Sequence, residues 1–124
     1  MKLIKVILKP ERAIVLKDEL QSMGFHGITS KESHGFGETK VIKKQIYRGR
    51  VYEERADAVK RVELELVAPD ERLEDVKKIV EDIGKTGTGG DGRLYISTLD
   101  EAIHIHSGTT HFGDSSEEKG VEDV

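Results

Sequence analysis

Apolar and polar positions run along this chain with two different periods, and the places where the period changes divide it into elements. The opening KLIKVIL sets Leu3, Ile4, Val6, Ile7 and Leu8 among lysines, the density of a buried strand, and Pro10 closes it. Ala13, Leu16, Leu20 and Met23 then recur at helical spacing, and Gly24 supplies the stop. GITSKES is a short second strand. RVELELVA alternates Val62, Leu64 and Leu66 against Glu63 and Glu65, which is a strand with one wet face. Pro69 and Asp70 break it and are expected to cap a second helix. That helix buries Leu73, Val76, Ile79, Val80 and Ile83, and Gly84 ends it. RLYIS is the fourth strand. From Gly113 the chain is polar and acidic, and residues 113–124 are expected to form a flexible tail.

The order is therefore βαββαβ, with each helix long enough to cross back over the sheet. This predicts an α+β fold, a ferredoxin-like sandwich over residues 1–112. Both helices should cover one face of an antiparallel sheet. Few aromatic residues are at hand to hide the other face, so self-association is expected to hide it.

Composition sharpens this picture. Charged and apolar residues each make up 35% of 124 residues, so the core is modest. No apolar run approaches transmembrane length, and lysines interrupt the N-terminal apolar stretch as no signal peptide does. The absence of cysteine excludes disulfides and thiolate metal sites and fits a cytoplasmic location.

Charge is uneven. The net charge is −4, yet the segment from Glu38 to Arg61 carries eight basic and four acidic residues, leaving the remainder at −8. This segment lies within a long connection, residues 33–61, between two strands. A basic loop on an acidic body suits phosphate, an acidic partner or small anions; a merely solvated loop is the plainer alternative.

Two glycine stretches carry candidate chemistry. GFG, Gly35 to Gly37, opens the long connection, and TGTGGDGR, residues 86–93, joins the second helix to the fourth strand. Glycine-rich backbone lets successive N–H groups face an anion with no Cβ in the way, and Arg93 adds a fixed positive charge. The second stretch is neither a Walker A sequence nor a dinucleotide fingerprint, and glycine turns by themselves are usually only turns.

With these residues in view, residues 1–112 resemble the PII signal-transduction family. MKLIKVILKP resembles its first strand, GFG and the later YRG its T-loop, TGTGGDGRLYIS its B-loop and fourth strand, and IHIHSGT its C-loop. The resemblance implies a homotrimer that binds adenine nucleotide (ATP, ADP or AMP, with Mg accompanying ATP) in clefts between subunits. It further implies a T-loop that reports occupancy to a target protein, such as a membrane transporter or a metabolic enzyme. Such a loop switches only if ligands favour one of its conformations over another. Carried over by position, Thr29, Gly35, Phe36, Gly37, Gly87, Gly90, Gly92 and Arg93 would line the cleft, Thr29 at the base and the B-loop with Arg93 at the phosphates. Tyr52 falls near a tyrosine that some members nucleotidylate, but RVYEE replaces the usual flank, which favours an aromatic resting in a partner's groove.

Three departures bear on the ligand. Thr39 stands where the family commonly has a glutamine whose carboxamide helps hold magnesium, ATP and 2-oxoglutarate together. His104 and His106 replace paired arginines, and histidine is mostly neutral above a pKa of about 6.5. The loop is longer by a few residues, while Arg61 keeps the position of a ligand-binding lysine. These departures favour a divergent PII-like member sensing AMP, ADP or ATP, with bicarbonate as a second ligand. The alternative is a nitrogen regulatory PII protein that senses ATP, ADP and 2-oxoglutarate and controls nitrogen metabolism or an ammonium transporter. A zinc-like site is a minor reading: His104 and His106 would share a strand face, and His111 would supply a third nitrogen.

Two other classes fare worse. An RNA-binding module of the same strand order needs aromatic residues on its central strands, where this chain has Glu63 and Glu65. An enzyme needs a paired acid and base or a nucleophile with its partner, and neither appears. The expectation is a regulator that performs no chemistry and binds no nucleic acid.

Overall fold

A computed structural model describes residues 1–36, 42–55, 58–87 and 89–112. Its elements follow in the order β1 (Lys2–Leu8), α1 (Pro10–Ser22), β2 (Thr29–Phe36), β3 (Ile42–Tyr47), β4 (Arg50–Arg55), β5 (Ala58–Ala68), α2 (Leu73–Gly84), β6 (Gly92–Thr98), β7 (Glu101–Ile103) and β8 (Thr110–Phe112). The main sheet is antiparallel with strand order β2-β5-β1-β6. Both helices lie on one face of it. This is the ferredoxin-like sandwich that the βαββαβ pattern predicts.

Strand alternation decides which side each residue serves. Ile4, Val6 and Leu8 of β1 and Leu64, Leu66 and Ala68 of β5 are buried beneath Ala13, Leu16 and Leu20 of α1 and Val76 and Val80 of α2. Full burial of a valine or leucine side chain contributes about 1.5–3 kcal/mol, so this single layer supplies most of the drive to fold. The odd-numbered positions face the other way: Leu3, Lys5 and Ile7 on β1, and Glu63, Glu65 and Val67 on β5. No helix of the described residues covers them.

Local sequence explains the helix ends. Pro10 closes β1 and also starts α1, where its missing N–H costs nothing. At the far end Gly24 takes φ +96 and the Phe25 N–H bonds back to the Leu20 carbonyl at 3.0 Å, a left-handed stop that turns Phe25 into the core. The Arg72 guanidinium lies 4.2 Å from the Phe25 ring centre. Asp70 corrects the expectation: it opens a 3-10 turn, Asp70–Arg72, without capping it. Its carboxylate instead accepts a 2.7 Å hydrogen bond from the Met1 amine, which holds its pKa below the ordinary carboxylate value.

The long connection is more ordered than the sequence suggested. β2 runs on through Gly35 and Phe36, β5 begins at Ala58, and the two stay paired down to Phe36 opposite Ala58. Between them β3 and β4 pair as a hairpin. Its two-residue turn, Arg48–Gly49, has φ of +51 and +73, the signature of a type I′ turn. Within residues 33–61, therefore, the connection is two strand arms and a hairpin. β7 and β8 form a second small hairpin that the sequence pattern did not announce. The acidic segment 113–124 lies outside the described residues.

Candidate functional site

The loop between α2 and β6 is held by an ionic knot. The Asp91 carboxylate accepts the Thr86 N–H at 2.9 Å and the Thr86 hydroxyl, and Lys9 Nζ lies 3.3 Å from it. Lys9 also donates to the Thr86 hydroxyl at 3.2 Å. The Thr86 hydroxyl and N–H, with Lys9 adding to them, hold the Asp91 carboxyl down to about 2, so it stays ionised through the physiological range. An acidic side chain in a loop suited to anions would repel them unless neutralised. Here Asp91 is neutralised by the end of β1, and it ties the loop down.

Gly92 shows why that loop needs its last glycine. It has φ +118, and a Cβ there would fall 1.8 Å from the Ile7 carbonyl oxygen. β6 can pair with β1 from its first residue only if that residue is glycine, with Gly92 opposite Leu8. Around Gly87 and Gly89 the situation is reversed, because an added Cβ would meet nothing within 4 Å. The middle of the loop is open to whatever approaches it.

Arg61 reaches this loop from β5. Its Nη2 donates to the Gly90 carbonyl at 2.9 Å and its Nη1 to the Lys60 carbonyl at 2.9 Å. Its aliphatic stem passes over Gly35, where an added Cβ would lie 3.5 Å from Arg61 Cγ. The structure thus gathers Gly35, Arg61 and Gly90 in one place, with Gly87, Gly92 and Arg93 in the same loop and strand start. These bonds join a charged donor to neutral acceptors in exposed positions, so an anion can compete for the guanidinium. By strand alternation Arg93, opposite Ile7, faces the helix-free side of the sheet, as Arg61 does. A cavity of about 270 Å³ runs from Asp91, Gly92 and Arg93 towards the C-terminal end of α2 at Glu81 and Lys85.

Thr29 stands apart. It lies on edge strand β2 while Arg93 lies on edge strand β6, with β5 and β1 between. Three strand spacings and an offset of two residues along the strands put them about 16 Å apart. Around Thr29 a separate cavity of about 260 Å³ is lined by Thr29, Ser30, Lys31, Glu63 and Glu65. Glu63, drawn as a wet-face residue by the sequence, is only 8% exposed. Its Oε1 lies 3.2 Å from Lys5 Nζ and its Oε2 3.6 Å from Lys31 Nζ. The Lys5 contact meets the distance of an ion pair without the alignment of a hydrogen bond.

The remaining expected residues divide three ways. Phe36 is 72% exposed at the end of the β2–β5 ladder, next to the Gly35–Val59 pair, with Val59 itself 46% exposed. Gly37 and Thr39 lie outside the described residues. His104 and His106 do not share a strand face, because β7 stops at Ile103 and residues 105–107 form a turn. The His104 N–H donates to the Thr109 carbonyl and its carbonyl accepts the Gly108 N–H, closing that turn. Neither histidine lines the cavity at Arg93. Among the described residues no three histidine or acidic side chains gather as metal ligands, and the side chain of His111 lies outside the description.

Sequence reasoning passed over Lys9, Thr86 and Asp91. The signal was present: an aspartate between two glycines, in a loop assigned to anions, needs a cation of its own.

Comparison with known proteins adds the relatives. The family profile described as nitrogen regulatory protein P-II matches residues 1–109. Nitrogen regulatory protein P-II of Rhizobium meliloti (strain 1021) is 37% identical over 110 residues, which cover 89% of this chain and 96% of the relative. Nitrogen regulatory protein P-II 2 of Methanothermobacter thermautotrophicus is 36% identical over 108 residues, 87% of this chain and 91% of the relative. Nitrogen regulatory protein GlnK of Escherichia coli (strain K12) is 33% identical over 108 residues, 87% of this chain and 94% of the relative.

Proposed function

The chain belongs to the nitrogen regulatory protein P-II family, and from that premise we propose that it is a regulator that binds adenine nucleotide between subunits of a homotrimer and signals through residues 33–61 to a partner protein. The observation that carries the reading is the convergence of Arg61 and Gly35 on the open, glycine-rich loop at Gly90. The described residues fit a nucleotide phosphate there. Gly87 and Gly89 leave the approach clear, Arg93 supplies a permanent charge, and Asp91 is already neutralised. With ATP, magnesium would neutralise part of the phosphate charge.

The division of the site supports sharing between subunits. Thr29 and Arg93 sit on opposite sheet edges, so a nucleotide touching both is best placed where one subunit's β2 edge meets another's β6 edge. The uncovered sheet face, with Leu3, Ile7 and Val67 among ionic residues and Tyr95 47% exposed, gives a reason to associate.

Two readings of the signal remain. The relatives are named nitrogen regulatory proteins, and that supports a role in nitrogen metabolism, with 2-oxoglutarate as second ligand and an ammonium transporter or metabolic enzyme as target. Thr39, His104 and His106 support a divergent member that senses AMP, ADP and ATP, with bicarbonate as a second ligand. Calorimetry against ATP, ADP and AMP, each with and without 2-oxoglutarate and bicarbonate, separates them. Binding of no adenine nucleotide would contradict both.

A further inference from the structure

Glu63 is a carboxylate that the fold buries and leaves incomplete. It sits on β5, one strand in from the β2 edge, on the side of the sheet that no described helix covers, and only a tenth of its side chain is exposed. Lys5 Nζ at 3.2 Å and Lys31 Nζ at 3.6 Å offset its charge. Yet among the described residues no donor hydrogen-bonds to its Oε1. A buried acceptor without a donor is unfavourable, more so when it is charged. The cavity of about 260 Å³ that Glu63 lines is walled by Thr29, Ser30 and Lys31 of edge strand β2, so a donor can enter it from beyond the sheet edge. The opposite edge carries the complement. On its helix-free side β6 presents Arg93, Tyr95 and Ser97, opposite Ile7, Lys5 and Leu3. Arg93 is already placed at the phosphates and Ser97 is short. Tyr95, 47% exposed, joins an apolar body to a hydroxyl donor at its tip. Its own chain does not bring it to Glu63, because β1 lies between β6 and β5 and it is Lys5, opposite Tyr95, that reaches the carboxylate.

We propose that Tyr95 of one copy of this chain seats in the β2-edge cavity of the next and donates its hydroxyl to Glu63 Oε1, so that each cavity is completed by a neighbour. This contact rests on the homotrimer reading above, in which a β2 edge meets a β6 edge, and it names what the two edges exchange. Tyr95 lies two residues beyond Arg93 on the same face of β6. A neighbour that brings Arg93 towards Thr29 therefore brings Tyr95 as well. One edge holds an acceptor in want of a donor and the other a donor in want of burial. Such a contact joins two different surfaces, and when a rotation repeats it the ring closes with every cavity filled. A hydroxyl bonded to a carboxylate is charge-assisted, and it strengthens where water is excluded. Phenylalanine at this position would fill the same space and leave Glu63 without its donor, which isolates the hydroxyl.

A double-mutant cycle on assembly of the full chain tests the contact. Oligomer mass is followed by light scattering on dilution, in urea at which the wild type half-dissociates at micromolar concentration. Tyr95→Phe should raise the concentration of half-dissociation about tenfold or more, for the loss of one hydrogen bond to a charged group at each interface. Glu63→Met removes the acceptor at similar length, and in that background Tyr95→Phe should change the value by less than about twofold. Glu63→Gln keeps a neutral acceptor, so Tyr95→Phe should have an intermediate effect there, and this variant carries the cycle if Glu63→Met does not fold. An effect of Tyr95→Phe that is equal in all backgrounds overturns the contact and leaves the trimer standing, as does a Tyr95→Phe protein that assembles like the wild type. A wild type that is monomeric without urea overturns the homotrimer reading and this contact together.

Discussion

Arg61 Nη2 donates to the Gly90 carbonyl at 2.9 Å, joining residues 29 positions apart in the chain. Through Arg61, Gly35 at the base of the long connection and Gly90 in the loop before β6 come together. In the sequence they are separated by a hairpin, a strand and a helix. What brings them together is the pairing of β5 with β2 on one side and of β1 with β6 on the other, which sets both loops at the same end of the sheet.

Two glycines of the loop should differ sharply when replaced. Gly92→Ala would place a methyl group against the Ile7 carbonyl at a backbone angle alanine rarely adopts. It is expected to cost about 3 kcal/mol or more. Gly87→Ala meets open space and pays only for its positive φ, about 1–2 kcal/mol. Urea unfolding of both variants checks this, and equal losses would contradict the packing described at the start of β6.

Asp91 sets an acid-side prediction. Its folded pKa is depressed from 3.8 to about 2 by the Thr86 hydroxyl and N–H and by Lys9. A carboxyl lower in the folded than in the unfolded chain adds stability that is fully present above the unfolded value and is lost as pH falls through the folded one. Its contribution should therefore hold above about pH 4 and disappear between about 4 and 2. Asp91→Asn should be less stable than wild type at pH 7, and its disadvantage should shrink across that window when unfolding is followed at a series of pH values. A disadvantage that does not change with pH would mean the carboxylate charge is not what holds the loop.

Much of this was legible in the residues, for reasons that can be named. Leu64 and Leu66 alternate with Glu63 and Glu65 because one sheet face is buried, and the dense apolar run Leu3, Ile4, Val6, Ile7 and Leu8 marks β1 as a strand without telling which side is covered. Ala13, Leu16 and Leu20 keep helical spacing because α1 has one buried side. The extension of β2 to Phe36 and of β5 back to Ala58 is not legible, since Ser33–Phe36 and Val59–Arg61 show no apolar alternation and none of them is fully buried. The β3–β4 hairpin had a signal, Arg48–Gly49 between Tyr47 and Arg50, that the surrounding charge obscured. The place of Asp70 before a helix suggests a cap, but the amine of Met1, 69 positions away, claims its carboxylate. Nothing local announces such a partner. Resemblance puts Arg61 at a ligand position; its bond to Gly90 comes only from the fold.

2-Oxoglutarate should bind weakly. In the family resembled, a glutamine carboxamide helps hold the metal that recognises it, and Thr39 stands there. Loss of one hydrogen bond to a charged group costs about 1.5–3 kcal/mol, or roughly ten- to a hundredfold in affinity. Thr39→Gln should recover affinity of that order in calorimetry with Mg-ATP present. Tight binding by the wild type would favour the nitrogen-sensor reading outright.

The histidines should influence nucleotide choice. His104 and His106 stand where the resembling family has paired arginines, and a fixed charge there favours a triphosphate over a monophosphate. Replacing both with arginine should raise the ratio of ATP to AMP affinity measured by calorimetry. A double variant with wild-type behaviour would place the β7–β8 hairpin away from the phosphates.

The central claim, a nucleotide site shared between subunits, is tested most directly by mixing two defective chains. Thr29→Ala and Arg93→Ala each damage every site of their own homotrimer. If Thr29 of one subunit and Arg93 of its neighbour serve the same nucleotide, random co-assembly of equal amounts leaves about a quarter of the sites with both residues intact. Calorimetry with ATP on the refolded mixture should then show about a quarter of the wild-type number of tight sites. A mixture that binds no more tightly than either variant alone would mean that Thr29 and Arg93 do not meet across an interface, and the shared site would be wrong.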